Sequence, residues 1–391
     1  MDDVVTCFLR DPRTGEVLLL RRSDETGSYP GQWGAVSGYV ECEDTDDDAE
    51  REIREETGVK EVTHVRSGDP FIVKDDEYGD WRVHPYLYDT PTRGITTNYE
   101  TERVDWCSPT EILQRETVPR LWDSYAAVAP SVETVRENDE HGSAYVAARA
   151  LEVVRDTAAT ETFENALEKA HQLVEARPSM AVVGNRVARL GDAETTEELV
   201  RKAHAAIAVG YRADEEAAEN AADRLNETGA ENVVTLSRSG TVGSTLKDVG
   251  ASVTVCESLP GCEGAAFADE IGADRVVPDA CVATAVQAAD AVVVGADAVL
   301  RDGAVVNKVG SLAAALTAER FDVPFLVVGS IDKISPNEHE NEYVEYHGEH
   351  VPVFERVPAD LAELVTEDGT LSCDEVREHA DEHARRRQTL G

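Results

Sequence analysis

The sequence predicts an α/β and α+β chain built in two parts, and three observations predict it. Residues 1–128 string short β-rich runs around a single acidic, well-delimited helix. Residues 142–226 carry Ala-rich segments with a 3.6-residue apolar period. From residue 227 to 391, β-rich runs alternate with Ala-rich helical segments. That alternation is the pattern of a parallel, doubly wound sheet with helices on both faces. A length of 391 residues exceeds one ordinary core. The expected boundary is a linker at 129–141, where Pro130 and the charged run Glu137-Asn138-Asp139-Glu140 interrupt the periodicity.

In chain order, Asp2 to Leu9 alternates as a strand, Asp11-Pro12-Arg13-Thr14-Gly15 turns, and Glu16 to Leu20 returns as the second arm of a hairpin. A Gly- and Pro-containing loop, Gly27 to Gly34, follows. Its Trp33 reads first as a packing residue. The helix comes next, at Arg51-Glu52-Ile53-Arg54-Glu55-Glu56-Thr57-Gly58-Val59. Thr45 is its expected N-cap, Asp46, Asp47 and Asp48 place negative charge on the first turn, and Gly58 suits the left-handed position after its end. Glu52, Glu55 and Glu56 stand at i, i+3 and i+4, so three carboxylates share one face. Their mutual repulsion favours a cation among them, and Mg2+ or Mn2+ prefers such oxygen ligands. Val62 to Val65, Phe71 to Val73, Arg82 to Tyr88 and Glu100 to Trp106 read as further strands, and Ser108 to Leu113 as a capped helix with Pro109 at N1. His84 stands alone and reads as an ordinary strand residue before it reads as a base.

The run from Arg51 to Val59 resembles the signature of the Nudix hydrolases, G-x5-E-x7-R-E-U-x-E-E-x-G-U. Counting back from Arg51 places Glu43 at the single-Glu position and Ser37 at the Gly. Counting forward from Gly38 places Asp44 there instead, with a loop one residue shorter. The resemblance implies an α/β/α sandwich and metal-dependent hydrolysis of a nucleoside diphosphate linked to another group. Glu52, Glu55 and Glu56 would hold the metal, one carboxylate would activate water, and Arg51 would pair with Glu55. Glu100 and Glu102 are candidates for a further ligand. ADP-ribose, a dinucleotide, a nucleotide sugar and a damaged triphosphate all remain open as substrates.

Composition narrows the classes. Formal net charge is −41, from 78 acidic against 37 basic residues spread along the chain, with Arg far ahead of Lys. A hydrophobic content of 41% argues against disorder. The acid reads as an adaptation to a salty cytoplasm, where screening over about 3 Å at 1 M removes most self-repulsion. Such a surface disfavours nucleic acid, whose phosphates need clustered Lys and Arg. Cysteines at 7, 42, 107, 256, 262, 281 and 373 lack metal-site or disulfide spacing. No run approaches the ~20 apolar residues that span a bilayer, so a soluble, cytoplasmic protein without a membrane partner is expected.

In the second part the helical segments run over Tyr145 to Asp156, Thr162 to Ala176 and Glu197 to Gly210. The strands are expected at Val233 to Leu236, Ser252 to Val255, Arg275 to Val277, Ala291 to Val294 and Pro324 to Val328. Ligands of such sheets bind beyond the carboxyl ends of the strands. Those ends carry Ser237-Arg238-Ser239, Cys256-Glu257-Ser258-Leu259-Pro260-Gly261 and Gly295-Ala296-Asp297, with Asn307-Lys308-Val309-Gly310-Ser311 downstream. This set resembles the superfamily of initiation factor 2B regulatory subunits, methylthioribose-1-phosphate isomerase and ribose-1,5-bisphosphate isomerase. The resemblance covers roughly 142–385 and implies a Rossmann-like subdomain. In it Asp297 would be an acid/base carboxylate, with Asn307 and Lys308 on a sugar phosphate. Ser237 stands opposite the isomerases' catalytic Cys, and Leu259 opposite a phosphate-binding Arg for which Arg238 could substitute. Serine is a far poorer acid than a thiol. The Arg-Gly-Ala of the isomerases' helical region is replaced by His141-Gly142-Ser143-Ala144, a further departure from the isomerases, and Cys256 and Cys262 read as small buried hydrophobes.

The expectation is therefore a Nudix hydrolase using Mg2+ or Mn2+, fused to a domain that binds a sugar phosphate or nucleotide. It would form a homodimer through its C-terminal domain, as the superfamily resemblance implies. Two rivals stand beside it: a bifunctional salvage enzyme that also isomerises ribose 1,5-bisphosphate, and a non-catalytic regulatory protein related to translation factors.

Overall fold

The computed structural model describes residues 1–42, 44–138, 141–337 and 343–390. Contacts sort the chain into two compact units. One holds 1–131 with 152–163 and 196–208; the other holds 132–151, 164–195 and 209–391.

The first unit is built on an eight-stranded sheet of β1 (Asp2–Asp11), β2 (Glu16–Arg22), β3 (Trp33–Gly34), β4 (Val36–Tyr39), β5 (Thr63–Ser67), β6 (Phe71–Val73), β7 (Trp81–Asp89) and β8 (Thr101–Cys107). Its central pairing is parallel, β1 on β7, from Asp2 opposite Trp81 to Arg10 opposite Asp89. The period of two along each strand supplies both cores. Val5, Cys7 and Leu9 of β1, Leu18 and Leu20 of β2, and Tyr86 and Tyr88 of β7 face Ala49 and Ile53 of α1 (Thr45–Thr57). Phe8, Val17, Leu19 and Leu87 face the other way, onto Leu121 and Tyr125 of α2 (Leu121–Ala126). The result is the expected α/β/α sandwich.

Two details differ from the sequence reading. Ser108 starts a 3-10 turn over Pro109–Leu113, not a capped helix; its hydroxyl pairs with Thr110 Oγ1 at 2.9 Å rather than with a turn amide. The stretch read as a linker holds α3 (Val132–Arg136), with Val132 and Val135 buried; residues 139 and 140 of that stretch lie outside the described ones.

The Ala-rich region forms α4 (Ser143–Thr160), α5 (Phe163–Ala176), α6 (Ala181–Ala188) and α7 (Thr196–Thr228). The last runs unbroken well past Gly210, where the sequence reading had stopped it. In the second unit a sheet follows: β9 (Asn232–Leu236), α8 (Gly240–Lys247), β10 (Ser252–Cys256), α9 (Glu263–Ile271), β11 (Arg275–Val277), α10 (Val282–Gln287) and β12 (Ala291–Val294). After β13 (Ala298–Val299), β14 (Val305–Lys308) and α11 (Ser311–Phe321) come β15 (Phe325–Val328), β16 (Tyr343–Tyr346), β17 (Glu349–Pro352), β18 (Phe354–Val357), β19 (Glu363–Thr366), β20 (Gly369–Thr370) and α12 (Cys373–Thr389). The order in space is β11-β10-β9-β12-β15-β19-β20, parallel except for β20. Every expected strand is present. Alternate residues again split two cores: Val234, Leu236, Val292 and Val294 meet α10, α11 and α12, whereas Val233, Val253, Val255 and Val293 meet α7, α8 and α9. The order reverses between β9 and β12, which is where such sheets open a ligand crevice.

Candidate functional sites

Helix α1 positions the first site. Asp44, not Thr45, is its N-cap, accepting from the Asp46 amide at 3.0 Å, and Gly58 closes it at φ 70°. Asp44 thus serves the helix start, while Glu43, the rival for the first glutamate of the signature, lies outside the described residues. Glu52 and Glu56 turn inward toward β4, whereas Glu55 is exposed. A Cβ on Gly38 would lie 2.0 Å from the Glu52 carboxyl carbon, so only glycine lets that carboxylate seat against the strand. The neighbouring Ser37 amide donates to Glu56 Oε1 at 3.4 Å.

The charges there are under strain from one another. Burial pushes Glu56 from 4.5 up to about 8, against the Ser37 amide, and the Glu52 and Glu100 charges push the same way. Glu52 is raised first by burial, a shift that Arg51 opposes and Glu55 and Glu100 reinforce. Glu100 therefore belongs to this cluster. Glu102 does not, since it pairs with Arg21 at 3.0 Å. Arg51 also departs from expectation. It binds Asp48 at 2.7 Å and Glu52 at 2.9 Å rather than Glu55, because Asp48 is held buried by the Glu41 and Cys42 amides within reach of the guanidinium.

Among the described residues no three His, Cys, Asp or Glu side chains form a group ready to hold a metal ion. The donor chemistry nevertheless fits a hard divalent cation. Glu52, Glu56 and Glu100 would offer it oxygen ligands, in a cluster where Arg51 pairs with Glu52 and the charge of Arg22 reaches Glu56.

A cleft of ≈ 120 Å³ shares Ser37, Gly38 and Arg22 with the surroundings of Glu52 and Glu56, although no carboxylate of the cluster lines it; it extends toward Leu121 and Ser124 of α2, and its aromatic sides are Tyr29, Tyr39 and Trp81. Tyr39 and Trp81 tilt toward each other at 6.0 Å. The Tyr29 hydroxyl sits between Trp81 and the Asp75 carboxylate, and burial pushes it up to about 12. Trp33, by contrast, packs on the core and under Arg115. His84 pairs with Asp3 at 2.8 Å as an ordinary strand residue.

The second site lies at the strand ends of the parallel sheet. Ser237 leaves β9 at φ 63°, and its amide donates to Ser258 Oγ at 2.6 Å. The Ser237 hydroxyl donates to Glu263 Oε1 at 3.1 Å, and Lys308 reaches the same oxygen at 2.7 Å. Glu263 was not anticipated from sequence; the only sign was an acidic residue in the first turn of a helix. Asn307 is buried and donates to Ser311 Oγ at 2.9 Å, and Arg238 pairs with Glu270 in the open. Asp297 sits beyond β12, its amide on Val306 O. Lys333, also unanticipated, is buried beneath that loop and donates to Ala296 O at 2.7 Å. Cys256 is buried as expected and burial raises its thiol to about 12, but Cys262 is exposed at the start of α9.

Residues 2–128 match the NUDIX domain model, and residues 139–372 match that of the initiation factor 2 subunit family. Ribose 1,5-bisphosphate isomerase of Methanocaldococcus jannaschii is 29% identical over 212 residues, 50% of this chain and 68% of that protein. Methylthioribose-1-phosphate isomerase of Schizosaccharomyces japonicus is 41% identical over 68 residues, and a Pyrococcus abyssi protein described as a putative translation initiation factor eIF-2B subunit 2-like is 38% identical over 96. The matches span only 19% and 35% of those two proteins. Among solved structures, the Pyrococcus horikoshii translation initiation factor eIF-2B superposes with a TM-score of 0.56 at 22% identity, covering 61% of this chain and 94% of that one. The chain belongs to the initiation factor 2 subunit family, and it carries a NUDIX domain at its N-terminal end.

Proposed function

We propose that the N-terminal domain is a metal-dependent hydrolase of nucleoside diphosphate derivatives, and that the C-terminal domain binds a sugar phosphate or nucleotide. The observation that carries the first half is the seating of Glu52 and Glu56 against Gly38 and Ser37, with the charge of Glu100 pressing on both. Mg2+ or Mn2+ bound by Glu52, Glu55, Glu56 and Glu100 would neutralise the diphosphate and acidify water. Arg51 holds Glu52 in position, and Arg22 presents a further positive charge to the phosphates. The aromatic cleft supports a nucleoside in the substrate, since flat rings stack on Tyr and Trp. At ≈ 120 Å³ it is smaller than the roughly 300 Å³ of sites that enclose drug-sized ligands, so it suits one ring system.

The test is phosphate or nucleotide release in high salt from a panel of ADP-ribose, dinucleotides, nucleotide sugars and damaged triphosphates. Mg2+-dependent turnover of at least one is expected. Glu52→Gln and Glu56→Gln should each lower kcat at least ~100-fold, while Glu102→Ala leaves it unchanged. Inactivity on the whole panel would favour a regulatory protein.

For the C-terminal domain, 29% identity to a ribose 1,5-bisphosphate isomerase favours a second reading in which Asp297 acts as acid/base on that sugar. The serine at 237 and its bond to a carboxylate weigh against it. Formation of ribulose 1,5-bisphosphate would establish that activity. Pairing of two copies through this domain in a salty cytoplasm completes the proposal, with sedimentation in high salt as its readout.

A further inference from the structure

Three elements at the strand ends are suited to an anion, and each already holds a carboxylate of this chain. Lys308 Nζ lies 2.7 Å from Glu263 Oε1, and the Ser237 hydroxyl donates to the same oxygen. The Gly310 and Leu312 amides, at the start of the 11-residue helix α11, both donate to Glu355 Oε1, at 2.6 and 2.8 Å. Arg238 is paired with Glu270 at 3.2 Å. The positive charge and amide donors of this region are satisfied internally.

The three pairs are not equal. Arg238 and Glu270 are about half exposed, and such a pair is worth little. The Lys308 and Glu263 side chains retain 14% and 22% of their exposure, so their attraction is screened less. Glu263 also sits in the first turn of α9, where the helix end favours negative charge. Its carboxylate gathers one ammonium and one hydroxyl, the same donors that a phosphate oxygen would take. A phosphate dianion offers Lys308 more charge and more acceptor oxygens than a carboxylate does. It cannot, however, share the ammonium with Glu263 at little cost, since like charges about 4 Å apart repel strongly where water is partly excluded.

We infer that Glu263 is the resident anion of the strand-end site: its carboxylate holds Ser237 and Lys308 until the phosphate of a phosphorylated sugar displaces it. This rests on the proposed reading of the C-terminal domain as a sugar-phosphate binder. It adds that the domain responds only to ligand abundant enough to outcompete an internal carboxylate, so Glu263 sets the concentration at which the site fills.

Calorimetric titration of the full-length protein in high salt tests it, with inorganic phosphate and ribose 1,5-bisphosphate as probes. Glu263→Gln keeps the side chain's size and its acceptor for Ser237 while removing the charge. It should bind at least one probe about tenfold or more tighter than the unaltered protein. Glu263→Ala should shift affinity in the same direction, and Lys308→Met should abolish binding in either background. Should the unaltered protein bind while Glu263→Gln binds equally or more weakly, Glu263 merely positions the lysine, and the inference falls while the sugar-phosphate reading stands. Should neither the unaltered protein nor the Gln variant bind either probe, the sugar-phosphate reading itself is overturned.

Discussion

At the scale of single residues, the acidic helix was legible because helical spacing alone puts Glu52, Glu55 and Glu56 on one face. What spacing could not show is that β4 divides them, burying Glu56 and half-burying Glu52 while Glu55 stays in water. The partner of Arg51 was misjudged for a related reason. The i+4 rule favours Glu55, but a buried Asp48 pinned by two backbone amides is a stronger attractor than an exposed glutamate. Glu263 was illegible because its partners come from the end of β9 and from β14, strands of two different sheets that meet only once the domain has folded. A pH prediction belongs here. Metal-free, Glu56 ionises at about 8 when folded against about 4.5 unfolded, so the native state binds more protons between those values. Stability of the metal-free protein should therefore fall as pH rises from 4.5 through 8. Mg2+ or Mn2+ should recover it on the alkaline side, because the ion favours the charged carboxylate. Thermal melts across that range, with chelator and with metal, provide the check; a flat profile with chelator would contradict the burial of Glu56.

At the scale of elements, the strands of both sheets were legible because each is an apolar run at the right period. The small sheet of β13, β14 and β18 was not, since runs of two to four residues carry too little pattern. The Ala-rich helix α7 was read only as far as Gly210, yet it runs on to Thr228. At Gly210 the Arg186 guanidinium packs where a side chain would stand and donates to the Gly210 carbonyl. The junction of β4 with α1 yields a second prediction. Gly38→Ala would put a methyl 2.0 Å from the Glu52 carboxyl carbon and force that side chain off the strand. Turnover should drop at least ~10-fold while the melting temperature changes little, because the displaced carboxylate has water to move into. A large loss of stability with activity per folded molecule intact would show that the contact is structural only.

At the scale of the whole molecule, 78 acidic residues against 37 basic ones leave self-repulsion as a standing cost. Dialysis from molar salt to a few millimolar should diminish the far-ultraviolet circular dichroism, and an unchanged spectrum would refute the salt adaptation. Buried pairs respond differently, since screening reaches them less. Asp332, fully buried between Arg186 and Arg189, is the clearest in the second unit. Burial alone would raise it, but the two guanidinium charges outweigh that and lower it, so its contribution is lost only as pH falls into the acid range. Asp332→Ala should cost about 3–5 kcal/mol, read from denaturant melts at high salt, because it strands buried guanidinium.

The parallel pairing at the middle of the first sheet has a consequence for how the chain matures on the ribosome. Of the strands in this sheet, β1 is made before the others and is central, and its neighbour along the full length of Asp2 to Arg10 is not synthesised until Asp89. Its apolar side chains must wait, tethered to a growing polypeptide, through most of that domain's translation. Stalled nascent chains ending before Trp81 should accordingly be open to protease, and those extending well past Ala126 resistant.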